Sequence, residues 1–257
     1  MSDCLCIHDR VAVVIGGTSG IGRALAVGLA QNGANVIAAG RRMSEIETTA
    51  AEIETAGRRT LRHTADATRR KSLDTLRDAV MTAFGRVDIL INAAGYTLKE
   101  PTATLAEEKW SALLDTNLTG VLRACQSFYA CLAQSGRGRI INVASLGSYL
   151  SFHQVAAYCA AKTAILSLTR SLACEWAADN ISVNAIAPGV FPTEMNQRLV
   201  TGTARGKEIL MRTPMRRFGK PEELVGVAVM LASDAATFLT GQCIAVDGGY
   251  LASGVNS

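Results

Sequence analysis

The five residues Val11-Ala12-Val13-Val14-Ile15 run without a break into Gly16-Gly17-Thr18-Ser19-Gly20-Ile21-Gly22, and no other stretch restricts the fold as tightly. A continuous β-branched run suits a strand covered on both faces, as in a parallel sheet. The glycines after it have separate jobs. One admits a tight turn, another lets main-chain amides approach a pyrophosphate, and the last lets a helix pack close against the strand. A helix from Arg23 to Gln31 ends at the C-cap signal Asn32-Gly33, and a second strand follows at Asn35–Ala39. Strand, glycine turn, helix and strand make the first unit of a dinucleotide-binding fold, whose helix N-terminus offers free N–H groups and a partial positive charge to phosphate. The spacing here is Gly16-x-x-x-Gly20-x-Gly22.

The end of the second strand addresses the adenosine ribose. An acidic residue there would bond a free 2′-hydroxyl, but the chain reads Gly40-Arg41-Arg42, and two guanidiniums clamp a phosphate dianion. The residues therefore favour NADP(H), with NAD(H) as the alternative. Alternation of the two element types continues. A helix is expected over Ser44–Ala56, a strand at Arg59–His63, a loop at Asp66 and a helix over Lys71–Phe84. The strand Val87–Ile91 then ends in Asn92-Ala93-Ala94-Gly95, small residues against which adenosine can lie. A long helix carries Trp110 and Leu113 and runs through Asn117 to about Ala133. Further strands are expected at Arg139–Val143, Ile181–Ile186 and Cys243–Val246. With no linker, low-complexity run or repeat, the expectation is an α/β Rossmann fold in a single domain over 1–257: a doubly wound parallel sheet flanked by helices on both faces.

Composition excludes several alternatives. The 257 residues are 49% hydrophobic, ample for a core, and the net charge of +4 with no basic stripe gives no case for nucleic acid. No apolar run approaches the ~20 residues that span a bilayer, and no signal peptide is visible, so no membrane association and a cytoplasmic location are expected. Seven cysteines, an odd number without C-x-x-C pairs, read as reduced thiols. Cys4, Cys6 and His8 lack a second ligand cluster, so no metal is expected.

The chemistry is concentrated after the Arg139–Val143 strand. Ser145 sits where that strand ends, the place ligands lie in open parallel sheets. Tyr158 and Lys162 are four residues apart in an Ala-rich helix, Ala156–Cys174, and so share one face. A hydroxyl, a phenol and an ammonium together can bind, protonate and tune a carbonyl oxygen. A free phenol, with a pKa of about 10, is a poor base near neutrality. An ammonium ~5 Å away at an effective dielectric of ~20 contributes ~3 kcal/mol, roughly two pKa units, and so is expected to lower it.

These landmarks resemble the classical short-chain dehydrogenase/reductase family over essentially all of residues 8–250. The matching residues are Gly16, Gly20 and Gly22, Asp66, Asn92-Ala93-Ala94-Gly95, Asn117, Ser145, Tyr158 with Lys162, Pro188-Gly189 with Thr193, and Val246-Asp247-Gly248-Gly249. Two positions depart from the family pattern: Ile15 stands where Thr is usual, and Ala93 where a second Asn is frequent. The resemblance implies that Tyr158 is the general acid in ketone reduction and the base in alcohol oxidation. It implies that Lys162 binds the nicotinamide ribose, Ser145 holds the substrate oxygen, and Asn117 positions a relay water. The cofactor set it implies is Gly16, Thr18, Ser19, Gly20, Ile21, Gly22, Arg41, Arg42, Asp66, Ala67, Asn92, Ala93, Ala94, Gly95, Tyr158, Lys162, Pro188, Gly189, Val190 and Thr193. A lid over roughly 190–217 and a homotetramer are also implied.

Within the family, Ala187–Met195 and Arg212–Glu223 look most like gluconate 5-dehydrogenases, which reduce 5-keto-gluconate with NADPH. The small-molecule carbonyl substrate is then expected against Tyr96, Ser145, Leu146, His153, Phe191 and Met195. The alternative is a 3-ketoacyl-acyl-carrier-protein reductase, weakened because Cys174 stands where those enzymes commonly carry a basic residue. A non-enzymatic dinucleotide sensor is a third reading, and the presence of all four catalytic side chains speaks against it.

Overall fold

The computed structural model describes residues 4–194 and 196–254, so the expectation for Met195 lies outside the described residues. Six strands form one sheet: β1 (Val11–Ile15), β2 (Asn35–Ala39), β3 (Ile89–Asn92), β4 (Gly138–Val143), β5 (Ile181–Pro188) and β6 (Cys243–Val246). Their order is β2-β1-β3-β4-β5-β6, and every pairing is parallel. Val13 pairs with Ile37 on one side and Leu90 on the other, Leu90 with Ile140, and Ile140 with Val183. The chain first moves outward from β1 to β2 and then returns to build β3 on β1's other side. The order therefore reverses at β1/β3, where the carboxyl ends of the strands open a crevice.

Helices cover both faces. They are α1 (Gly20–Gln31), α2 (Met43–Thr55), α3 (Arg70–Phe84), α4 (Glu107–Leu114), α5 (Gly120–Gln134), α6 (Ala156–Trp176), α7 (Gln197–Val200), α8 (Ala204–Arg212) and α9 (Val225–Ala232). Because side chains alternate along a strand, β1 feeds two cores. Val11, Val13 and Ile15 pack with Leu73, Leu76 and Phe128 on one face, and Ala12 and Val14 pack with Leu25, Leu29 and Ala228 on the other.

Two expectations change. The segment Arg59–His63 is not a strand. It runs beside the edge strand β2, where the Val36 amide donates to the Arg59 carbonyl at 3.1 Å, and an isolated bridge follows between Gly40 and Thr64. The Asn35 side chain takes the Arg59 amide at 3.1 Å, while Arg62 turns out to Glu54 and Arg59 stacks on Phe84. The Asn35 side chain thus takes the amide that a ladder would otherwise use. The long helix through Asn117 is also not uniform. Between α4 and α5 the residues Asp115–Thr119 form a π-helical turn, a widening frequent at functional positions.

Candidate active site

The crevice begins at the turn after β1. Gly16 has φ +79° and Gly20 φ +50°, the left-handed region that favours glycine. A Cβ on Gly16 would come within 2.5 Å of the Ala94 amide nitrogen, and one on Gly22 within 2.0 Å of the Gly16 carbonyl oxygen. The first turn and the Asn92–Gly95 segment after β3 therefore touch backbone to backbone. Ser19, the N-cap of α1, makes no side-chain cap bond, and the first helical turn carries no acidic residue. Its amides and dipole remain available to an anion. Thr18 is buried beside Gly40, Ile21 is partly buried, and Ser19 is exposed. Thr193 leans over the same helix end, its methyl 3.2 Å from where a Gly20 Cβ would lie.

Arg41 and Arg42 both stand exposed past β2. Arg42 faces Glu45 at 3.8 Å, and the charge of Arg41 reaches Asp66. Burial pushes the Asp66 carboxyl up, but bonds from the Thr68 hydroxyl and amide, helped by Arg41 and Arg69, hold it below the usual range. Ala67, next to it, is buried against Gly120.

At the end of β3, Asn92 is buried and donates to Asn142 Oδ1 at 2.9 Å, and Asn142 donates on to the Thr169 hydroxyl at 2.9 Å. This buried row ties β3, β4 and α6 together. Asn142 and Thr169 lie outside the predicted site, and their only trace in the sequence is a polar residue at an inward position. Beyond Gly95, Asn117 is fully buried in the π turn and grips Tyr96 twice. Its Oδ1 takes the Tyr96 amide at 2.9 Å and its Nδ2 donates to the Tyr96 carbonyl at 2.7 Å. A Cβ on Gly95 would meet Asn117 Oδ1 at 2.9 Å and Lys162 Nζ at 3.7 Å, so glycine lets these two groups converge.

Ser145, Tyr158 and Lys162 also come together. The Ser145 hydroxyl accepts from the Gly147 amide at 3.1 Å and hydrogen-bonds the Tyr158 phenol. Lys162 Nζ lies 5.8 Å from the Tyr158 ring centroid and donates to the Val143 carbonyl at 2.7 Å. The loop after Ser145 is fastened to the helix behind it, since Ser148 donates to the Lys162 carbonyl at 2.7 Å. Burial lowers Lys162 to about 8. It also raises Tyr158 above its ordinary value, opposed by the Ser145 bond and aided by the neighbouring Cys159. The expected lowering of the phenol by Lys162 is thus corrected: with both groups dry, desolvation is the larger influence on each.

The β5 end supplies the remaining wall. Gly189 donates to the Val246 carbonyl at 2.8 Å, and a Cβ there would strike Asp247 Cα at 2.6 Å. The Thr193 amide donates to Asn196 Oδ1 at 2.8 Å. Among the expected substrate contacts, Leu146 is buried against Val200, Ile209 and Tyr250 beneath α7 and α8. Tyr96 is partly open, and His153 is exposed with its carbonyl bonded to Arg205. Phe191 follows Gly189 and Val190 past the end of β5. It is buried, packs against Gly219, and lines a cavity of about 250 Å³ with Arg217, Phe218 and Asp247. Among the described residues, no three His, Cys, Asp or Glu side chains gather as a metal site, and no helix is long and apolar enough to cross a membrane.

A crevice that seats an anion on a helix end and holds a phenol, a hydroxyl and an ammonium beside it is equipped to exchange a proton with an oxygen next to a bound dinucleotide. That is the work of a hydride-transferring oxidoreductase. The chain belongs to the short-chain dehydrogenase/reductase family, and the family described as Enoyl-(Acyl carrier protein) reductase matches residues 16–251. It is 39% identical over 247 residues to the 2-dehydro-3-deoxy-D-gluconate 5-dehydrogenase of Dickeya dadantii, covering 96% of this chain and 97% of that protein. It is 38% identical over 244 residues to the NAD-dependent glycerol dehydrogenase of Listeria innocua, covering 95% and 94%. The crystal structure of a gluconate 5-dehydrogenase from Burkholderia cenocepacia in complex with NADP and tartrate superposes with a TM-score of 0.94 at 34% identity, covering 98% of this chain and 99% of that one.

Proposed function

We propose that this oxidoreductase interconverts a keto sugar acid and its secondary alcohol in the manner of a gluconate 5-dehydrogenase, preferring NADP(H) and accepting NAD(H). The observation that carries the chemistry is the convergence of Ser145, Tyr158, Lys162 and Asn117 beside the glycine turn. The support for a sugar acid is the likeness to enzymes of gluconate and deoxygluconate derivatives.

The turn fits a dinucleotide. Side chains are excluded from Gly16 and Gly22 by backbone at 2.5 Å and 2.0 Å, and the uncapped first turn of α1 offers its amides to a pyrophosphate. Gly16, Thr18, Ser19, Gly20, Ile21 and Gly22 would hold that pyrophosphate. Arg41 and Arg42 would hold a 2′-phosphate, Asp66, Ala67 and Asn92–Gly95 the adenosine, and Pro188, Gly189, Val190 and Thr193 the nicotinamide. When bound, the nicotinamide supplies or accepts the hydride. Tyr158 gives its phenolic proton to the substrate oxygen in reduction and takes it back in oxidation. Ser145 donates a hydrogen bond to the same oxygen, and Lys162 bonds the ribose. Asn117 spends its side chain on Tyr96, so it would position a relay water through the main chain of the π turn.

The raised phenol value supports reduction through the neutral range, because the acid form persists there. Oxidation, which needs the phenolate, should quicken as pH rises. A cytoplasmic homotetramer belongs to the same proposal. All seven cysteines are free, and α6 exposes the small residues Ala160, Ser167 and Ser171 to a second copy. Light scattering at four chain masses tests the tetramer.

The decisive assay follows reduced-nicotinamide absorbance with 5-keto-gluconate, acetoacetyl thioester and glycerol against both cofactors. The expected result is turnover of the keto acid with NADPH favoured about tenfold or more over NADH, and the preference collapsing in an Arg41→Ala/Arg42→Ala variant. Faster reduction of the thioester, or a preference for NADH, would overturn the reading.

A further inference from the structure

We infer that Arg205 is the residue that recognises the substrate's carboxylate, an assignment that rests on the sugar-acid reading above. Helix α8 carries Arg205, Ile209 and Arg212 on one face, at spacings of four and three. That face is turned inward, for Ile209 is buried against Leu146, Val200 and Tyr250, whereas Lys207 and Met211 are exposed on the other side. Leu146 directly follows Ser145, so the inward face of α8 lies over the catalytic segment.

Two contacts hold Arg205 there, and neither neutralises it. Its Nη1 donates to the His153 carbonyl at 3.4 Å, and its guanidinium stands 5.8 Å from the Phe152 ring centroid. Phe152 is backed by Tyr250 at 6.4 Å, and Tyr250 carries Arg212 at 5.1 Å. The row Arg205–Phe152–Tyr250–Arg212 fastens both ends of α8 to the core of the lid. Of the two arginines, Arg205 is the one bonded to the segment that leads into the helix of Tyr158. The neighbouring Gln154 carbonyl accepts the Glu100 amide at 2.8 Å, which closes the rim that begins at Tyr96, the residue gripped by Asn117.

Among the described residues Arg205 makes no ion pair. The acid on the facing rim, Glu100, is already taken by Lys109 at 2.8 Å, and Glu208, one turn further along α8 near Tyr250, forms no ion pair with Arg205. A guanidinium held by a ring under its face keeps its edge donors free for a planar anion, the geometry of a two-pronged carboxylate bond. A keto acid whose carbonyl sits at Tyr158 would extend its far end to this rim.

The test compares D-gluconate with D-gluconamide, the same carbon chain with a neutral amide, as substrates for oxidation with NADP⁺. Wild-type enzyme should favour gluconate. Arg205→Gln should raise the gluconate KM about 10- to 100-fold, the worth of one or two charge-assisted bonds, with kcat little changed and the gluconamide KM within about twofold. Arg205→Lys should fall between, and Lys207→Gln on the outer face should alter neither KM. If wild type prefers gluconate and Arg205→Gln keeps that preference, or weakens both substrates equally, the assignment to Arg205 is wrong while the sugar-acid reading stands. If wild type oxidises a neutral polyol such as glycerol but no sugar acid, both fall together.

Discussion

The two ends of the sheet bury charge in opposite ways. At the amino ends of the strands, Arg10, Asp88 and Arg139 are almost wholly withdrawn from solvent, and each meets its opposite. Asp88 takes the Val11 amide at 2.9 Å and the guanidiniums of Arg86 and Arg137 at 3.0 and 3.3 Å. Arg10 donates to the Ala232 carbonyl at 3.0 Å and pairs with Asp234 at 2.6 Å, which Arg139 approaches at 3.6 Å. At the carboxyl ends, Lys162 is as deeply buried and has a backbone carbonyl but, among the described residues, no carboxylate. Its pKa falls to about 8 and that of Tyr158 rises. Paired charges hold elements together. Charges left unpaired are poised to change state, which is what proton transfer requires.

The contrast can be tested by removing one group at a time. The largest effect is expected for Tyr158→Phe, with kcat falling about 10²- to 10⁴-fold, while cofactor affinity by fluorescence titration stays within a few fold and the melting temperature is kept. A variant retaining a tenth of the rate would refute the acid–base role. Next is Asp88→Asn at the opposite end. It should leave kcat near wild type but cost about 3 kcal/mol by strand-edge disruption, or on the order of 10 °C in Tm by calorimetry. Loss of activity in the still-folded variant would show that the two ends are not separable.

The smallest effect sharpens the comparison through pH. Lys162 has a folded-state value of about 8 against an ordinary 10.5, so the protein bears the cost of burying its charge below pH 8. That cost disappears as pH climbs toward 10.5, because there the unfolded chain binds the extra proton and the folded one does not. Lys162→Met should therefore melt within a few degrees of wild type, and no lower, at pH 7, and wild type should gain on it between pH 8 and 10.5. A wild type that instead loses ground over that window would mean the ammonium is stabilised where it lies.

What could be read in the sequence followed from how local the determinant is. The strand at Val11–Ile15 and the turn at Gly16–Gly22 are visible because burial on both faces and a positive φ leave few residue choices. Tyr158 and Lys162 are visible because a helix converts a spacing of four into a shared face. Arg59–His63 misled because its alternation resembles a strand, whereas its hydrogen bonds were decided by Asn35 and Glu54 on other elements. The place of the Phe191 ring is set in the same way, by Gly219, distant in sequence, which leaves the space it fills. The π turn at Asn117 and the direction of the pKa shifts at Tyr158 and Lys162 depend on three-dimensional burial, which no spacing encodes.

The bond from Arg10 to the Ala232 carbonyl spans 222 positions, and the Ala235 amide reaches back to Cys4. A ribosome adding roughly 5–20 residues per second needs about 10–45 s to travel from one partner to the other. Throughout that interval the nascent first strand must carry an unmatched guanidinium. The fold can therefore lock only after Ala232 has been added, and a chain stalled before that residue would be a natural client for chaperones.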